Sequence, residues 1–222
     1  MPYQAAIFDL DGTLLDTLDD LADSANAMLK SCGYPVHPVD AYRHFVGDGV
    51  RTLVERILPP EAKDKTSIVR CVEIYRQAYS ARWNAKTKPY SGIPEMLDSL
   101  VKRGIRLAVL SNKPHEFTED CIREFVGKWP WEVVHGMREG IPKKPDPTGA
   151  IEIIEKMGLS PKSCLYLGDT DTDMQTAKAA GIHGVGVLWG FRERDELIRN
   201  GALTLIERPR DILGLVDGTV QS

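Results

Sequence analysis

From residue 93 onward, short apolar runs alternate with amphipathic helical stripes, and this constrains the fold more than any other feature of the chain. Residues 105–110, 132–135, 164–167, 185–189 and 203–206 read as strands. Between them, Met96, Leu97, Leu100 and Val101, then Phe117, Cys121, Ile122 and Phe125, then Ala150, Ile151, Ile154 and Met157 recur at helical spacing. Residues 173–180 and 193–199 continue the series, and Gly104, Gly158 and Gly181 stand where helices should stop. Strands separated by helices imply a parallel sheet with helices on both faces. A further apolar run, residues 5–8, opens the chain. The expected class is α/β, with a Rossmann-like doubly wound parallel sheet as its core.

Residues 17–88 interrupt that pattern and read as purely helical. Leu18, Leu21, Ala22, Ala25, Met28 and Leu29 form one stripe, with Thr17 and Asp20 as its cap and Gly33 at its end. Val50, Leu53, Val54, Ile57 and Leu58 form a second, stopped by Pro59-Pro60. Ile68, Cys71, Val72, Tyr75, Tyr79 and Trp83 form a third. A Gly-bracketed loop, Phe45-Val46-Gly47-Asp48-Gly49, separates the first two. The chain's 222 residues fit one domain with a sizeable insertion. The expected division is a core of residues 1–16 and 89–222 and an inserted helical cap of residues 17–88.

Three strands end in chemically useful residues: Asp9 and Asp11, Ser111 and Asn112, and Asp169. In open α/β sheets, ligands bind beyond the carboxyl ends of the strands, where the strand order reverses. Carboxylates two residues apart lie on the same side of an extended chain. Such closeness is unfavourable unless a cation or a shared proton lies between them. Other classes fit less well. The net charge of −4 and the lack of a Lys/Arg stripe argue against nucleic acid. No basic start with an apolar stretch marks a signal peptide, and no run approaches the ~20 apolar residues of a membrane span. Cys32, Cys71, Cys121 and Cys164 form no C-x-x-C pair and read as buried thiols of a reducing cytoplasm. The five histidines lack zinc-site spacing.

The stretch Asp9-Leu10-Asp11-Gly12-Thr13 resembles the first motif of the haloacid dehalogenase superfamily. Leu110-Ser111-Asn112-Lys113-Pro114 resembles the second motif, Lys144-Pro145-Asp146-Pro147 the third, and residues 168–173 the fourth, in the family's order. Within the superfamily the chain looks most like phosphoglycolate phosphatases, which share S-N-K-P, K-P-D-P-T and V-G-D-G. The resemblance implies a Mg²⁺-dependent phosphatase of small phosphate monoesters. Asp9 would be the nucleophile, forming an aspartyl-phosphate; at an ordinary pKa of about 3.9 it would need no activating base. Asp11 would be general acid and base, since alkoxides leave poorly without a proton. Mg²⁺ would take oxygens from Asp9, Asp169 and the Asp11 carbonyl. Gly12 and Thr13, with backbone N–H groups near 10–13, would face phosphate, helped by Ser111, Asn112 and Lys144. Lys144 is preferred to Lys143 by the K-P register, and Asp173 would orient a metal-bound water or Lys144.

Alone, each motif has a plainer reading. Asp-x-Asp-Gly is often a turn, Ser-Asn a helix cap, and a lysine a surface charge. Asp169, Asp171 and Asp173 could open an EF-hand, but its sixth and twelfth positions would be Met174 and Ala180. Asp11 argues against dehalogenases and phosphonate hydrolases, which lack it. A phosphosugar mutase, a pyrophosphatase or a nucleotidase stays open, and a non-catalytic phosphate sensor is disfavoured. In the helical block, Arg43, His44 or Arg51 could pair with a substrate carboxylate or simply be solvated. The expected partner is a small phosphorylated metabolite, for a monomer or homodimer.

Overall fold

Ala5, Ala6, Ile7 and Phe8 are wholly buried, as a strand covered on both faces must be. They form β1 (Ala5–Phe8) at the centre of the computed structural model, which describes residues 3–219. β2 (Leu15–Asp16) and β3 (Lys88–Pro89) pair with each other, apart from the main sheet. The main sheet adds β4 (Arg106–Pro114), β5 (Trp131–Met137), β6 (Cys164–Gly168), β7 (His183–Val187) and β8 (Thr204–Ile206). Its order is β5-β4-β1-β6-β7-β8, with every neighbour parallel. The chain builds outward from β1 on one side, then returns to build outward on the other. The reversal falls at β1, so the crevice opens where Asp9 follows the strand.

By contact, the chain divides into two units. One is Asp16–Lys88; the other joins Met1–Leu15 to Pro89–Ser222. The smaller unit holds α1 (Leu18–Ser31), α2 (Tyr42–Phe45), α3 (Val50–Ile57) and α4 (Lys65–Ser80). Its core includes Leu21, Ala22, Ala25, Met28 and Leu29 of α1 and Ile68, Cys71 and Tyr75 of α4. Asp64 caps α4 by accepting from the N–H groups of Thr66 and Ser67, both at 3.0 Å. Thr17 and Asp20 do not cap α1 as expected: Thr17 makes no side-chain cap bond. The buried Asp20 carboxylate instead accepts from the N–H groups of Lys86 and Thr87 and from the Thr87 hydroxyl at 2.8 Å. Trp83 lies beyond the end of α4, because the helix stops at Ser80.

The larger unit adds α5 (Ile93–Lys102), α6 (His115–Val126), α7 (Thr148–Met157), α8 (Asp171–Ala179), α9 (Arg194–Arg199) and α10 (Ile212–Val216). Ala5, Ile7, Ala108, Leu110, Val133, Cys164 and Tyr166 present alternate positions of four strands to one face. Ala150, Ile153, Ile154 and Met157 of α7 and Ala177 of α8 pack on that face. Burying a large aliphatic side chain of this kind contributes about 1.5–3 kcal/mol. Element limits differ from the sequence pattern, most clearly at β4 and β7. β4 runs through Ser111 and Asn112 to Pro114, because pairing with β5 resumes at Pro114↔Met137 after a register shift. β7 starts at His183, which pairs with Leu165, and ends before Trp189. Backbone pairing needs no apolar side chain, so hydropathy marks neither limit.

His135 on β5 is buried on the sheet flank. Burial pushes its pKa down to about 4, and Arg138 adds to the effect, with Glu152 opposing and Lys156 and His115 assisting. Arg138 Nη2 and Lys156 Nζ each lie 3.1 Å from a ring nitrogen. An unfolded histidine takes its proton near pH 6.5, while the folded one stays neutral until about 4. The unfolded chain therefore binds more protons across that window, and stability declines as pH falls through it. Denaturant titrations between pH 7 and 4 should show this decline, and His135→Asn should remove part of its slope; an unchanged slope would rule out His135 as its source.

Candidate active site

The backbone carries Asp9 to the edge of the sheet: its N–H still donates to the Leu167 carbonyl, as a strand residue's would, at 2.9 Å. The chain then turns sharply. Leu14 and Leu15 N–H groups donate to the Leu10 carbonyl, and the Gly12 N–H to Leu15. Gly12 has φ +89°, a left-handed conformation. A Cβ there would lie 2.3 Å from Asp169 Oδ2, so only glycine fits. A Cβ on Gly190 would lie 2.2 Å from the Cβ of Asp169. The Asp169 side chain is thus enclosed by two glycines. Its oxygens accept from the Thr13 hydroxyl at 2.9 Å and from the Phe191 N–H at 2.8 Å.

Lys144 supplies the central cation. Its ammonium is buried and lies 2.8 Å from Asp9 Oδ1 and 2.6 Å from Asp173 Oδ1. Burial opposes the charge on Lys144, but Asp173 and Asp9 outweigh it and hold its pKa well above the ordinary value. Asn112 fixes the lysine's backbone in both directions: its amide donates to the Lys144 carbonyl and its oxygen accepts from the Lys144 N–H. Asp173 is anchored in turn. Its other oxygen accepts from the Thr170 N–H and hydroxyl in a capping box at the start of α8, and the Tyr166 hydroxyl donates to Oδ1 at 3.3 Å. Lys113 supplies a second cation, donating at 2.8 Å to each oxygen of Asp11.

Asp9, Asp169 and Asp173 each place an oxygen within 4.8 Å of the others, the one such cluster among the described residues. Burial raises the pKa of Asp9, and Asp173 raises it further against the pull of Lys144. Burial, with Asp173 and Asp9 adding to it, raises Asp169 well above its usual range. The ordinary carboxylate value therefore does not apply to Asp9, and a positive charge must join the cluster for all its members to ionise together. Asp9 Oδ1 is buried and lacks a well-aligned hydrogen bond despite its short approach to Lys144. Four carboxylates face two ammonium groups, which leaves two negative charges to balance. An oxygen-only, buried, anionic donor set of this kind fits Mg²⁺.

The profile of the haloacid dehalogenase-like hydrolases matches residues 6–187. This chain is a haloacid dehalogenase-like hydrolase. A phosphoglycolate phosphatase of Aquifex aeolicus is 32% identical over 96% of this hydrolase and 97% of its own length. One from Nitrosospira multiformis is 34% identical over 87% and 86%. A crystal structure from Lactobacillus delbrueckii subsp. bulgaricus is 30% identical, covers 97% of this hydrolase and 99% of itself, and superposes with a TM-score of 0.91. A predicted phosphoglycolate phosphatase of Haemophilus somnus is 25% identical, with a TM-score of 0.90 and the same coverage. No helix among the described residues is long and apolar enough to cross a membrane.

The hydrolase brings Asp9, Lys144, Asp169 and Asp173 together, but several expected roles shift. Asp11 lies outside the carboxylate cluster and its side chain is held by Lys113. Thr13 commits its hydroxyl to Asp169, and the N–H groups of Gly12 and Thr13 close the turn on Leu15 and Leu10; neither residue is laid out as a phosphate donor. The Asn112 side chain serves the Lys144 backbone. Ser111 Oγ accepts from the Lys113 N–H and keeps its hydroxyl proton for a ligand. Arg43 and Arg51 pair on their own helical segments with Asp40 and Glu55. Sequence reasoning missed Lys113, although it stands inside the second motif. It also missed Tyr166, hidden in an apolar run, and the Phe191 N–H, which has no side-chain signature.

Gly12→Ala should therefore destabilise the fold more than Gly33→Ala. Both sites have positive φ, but a Cβ on Gly33 meets nothing within 4 Å. Backbone strain alone should cost about 1–2 kcal/mol at residue 33, whereas residue 12 adds displacement of Asp169. Equal losses in chemical denaturation would contradict the close packing.

Proposed function

We propose that this hydrolase cleaves small phosphate monoesters through an aspartyl-phosphate on Asp9, with 2-phosphoglycolate-like compounds as substrates. The observation that carries the reading is the buried Asp9 carboxylate at the sheet's switch point, beside Lys144 and the anionic cluster. Asp9 attacks phosphorus in line, forming the Asp9–phosphorus bond as the ester P–O bond breaks. The leaving oxygen takes its proton from Asp11. A water molecule then attacks phosphorus, gives its proton to Asp11 and releases Asp9 and inorganic phosphate. Ser111 offers its hydroxyl to a phosphoryl oxygen, and Lys144 sets its charge against the same group. Asp9, Asp169 and the Asp11 carbonyl would hold Mg²⁺, with Asp173 bracing Lys144. When bound, the ion would offset the repulsion between the carboxylate and the phosphoryl dianion.

Carboxylate-bearing substrates are favoured by the names of the Aquifex aeolicus and Nitrosospira multiformis relatives. Phosphate release should be measured from 2-phosphoglycolate and p-nitrophenyl phosphate with Mg²⁺. Turnover should vanish with EDTA and in Asp9→Asn, whose amide is a poor nucleophile. Among small phosphorylated metabolites, 2-phosphoglycolate should rank first in kcat/KM. Release no faster than in Asp9→Asn would refute the phosphatase reading, and a higher rank for sugar phosphates would refute the substrate choice.

A further inference from the structure

We propose that Lys113 is a positioning residue that holds the Asp11 carboxyl group in place for proton transfer; this rests on the phosphatase reading above. Three observations point to it. Lys113 Nζ donates to both Asp11 oxygens at 2.8 Å, which holds the end of the carboxyl group at one point in the site. The lysine side chain is only 3% exposed, against 17% for Asp11. Burying an ammonium so completely is unfavourable unless geometry compensates, and an exposed lysine would satisfy Asp11 with less desolvation. Finally, the backbone beneath the lysine is rigid. Its N–H donates to Ser111 Oγ at 3.2 Å, its carbonyl accepts from the Thr118 hydroxyl at 3.2 Å, and a Cβ on Gly136 would stand 2.8 Å from that carbonyl.

These contacts place the two groups beyond the paired strands β1 and β4, where Phe8 stands beside Val109. Asp11 lies outside the main sheet, in an isolated bridge to Leu15. Lys113 lies within β4, so the lysine lends strand-like order to the turn. During turnover the proton moves between Asp11 and the leaving oxygen, then between the attacking water and Asp11. Lys113 gives up no proton in either step. One carboxyl oxygen exchanges the proton while the other keeps its bond to the ammonium. The bond from Lys113 N–H to Ser111 Oγ further ties this support to the hydroxyl that meets the phosphoryl group.

The test compares Lys113→Met, Lys113→Arg, Asp11→Asn and the double variant Asp11→Asn/Lys113→Met, with 2-phosphoglycolate and p-nitrophenyl phosphate. Misplacing a reacting group by about 1 Å lowers rates about 100-fold. Lys113→Met should lower kcat on 2-phosphoglycolate by roughly 10–100-fold, on the same principle, and change KM little. The loss with p-nitrophenyl phosphate should be several-fold smaller, because that leaving group hardly needs a proton. Lys113→Arg should recover part of the lost turnover. In the Asp11→Asn background, Lys113→Met should cause little further loss. Equal losses on both substrates, or multiplicative losses in the double variant, would overturn the proposal in favour of direct phosphate binding or simple fold support. Melting curves monitor folding, and Lys113→Gln, which is one bond shorter but keeps an N–H donor, replaces Lys113→Met should the latter fail to fold. Absence of wild-type turnover above Asp9→Asn would sink the phosphatase reading and this one together; wild-type turnover with equal losses sinks this one alone.

Discussion

The Lys144 ammonium, buried between Asp9 and Asp173, is the interaction on which the rest of the site depends. A bare ammonium at that depth would lose several kcal/mol of hydration, and an unpaired carboxylate would lose a similar amount. Together they are tolerated only because each is held from behind. Asn112 grips the Lys144 backbone, and the capping box at the start of α8 grips Asp173. Three segments far apart in sequence are thereby locked around one charge: the end of β4, the loop at 144, and the first turn of α8.

Asp169 is organised by a different means. Among the described residues no cation pairs with it; two glycines and two hydrogen bonds enclose it. The region thus has a lysine-paired side and a side whose charge is left for something else to balance. Burial first, and the neighbouring carboxylates after it, raise the pKa values of Asp9 and Asp169, and a divalent ion would offset both.

Elements stabilised by their own side chains were legible in the sequence. β1 and β6 are apolar runs, and the stripes of α1, α3 and α7 place successive apolar residues on one face, so periodicity marks them. The tail of β4 was not legible, since its pairing depends on where β5 happens to run. The same distinction holds in the site. Asp9, Asp169 and Lys144 stand at strand ends or in a recognisable register. The partners of Asp20, Asp11 and Thr13 lie 66, 102 and 156 residues away, and hydropathy carries no trace of contacts at such separation. The Thr17–Asp20 pattern was misleading for this reason: a cap motif describes a local option, and a distant pair of N–H groups offered Asp20 a better one.

The order of the strands also bears on how the protein is made. Asp9 leaves the ribosome before Phe191, whose N–H secures Asp169. β1 needs both β4 and β6 as neighbours before it is covered. Until β6 has been made, β1 therefore keeps one edge unpaired. Asp9 and Asp169 are enclosed together only once Phe191 has been made, so a product terminated before that residue holds Asp9 without the surroundings it has in the folded chain.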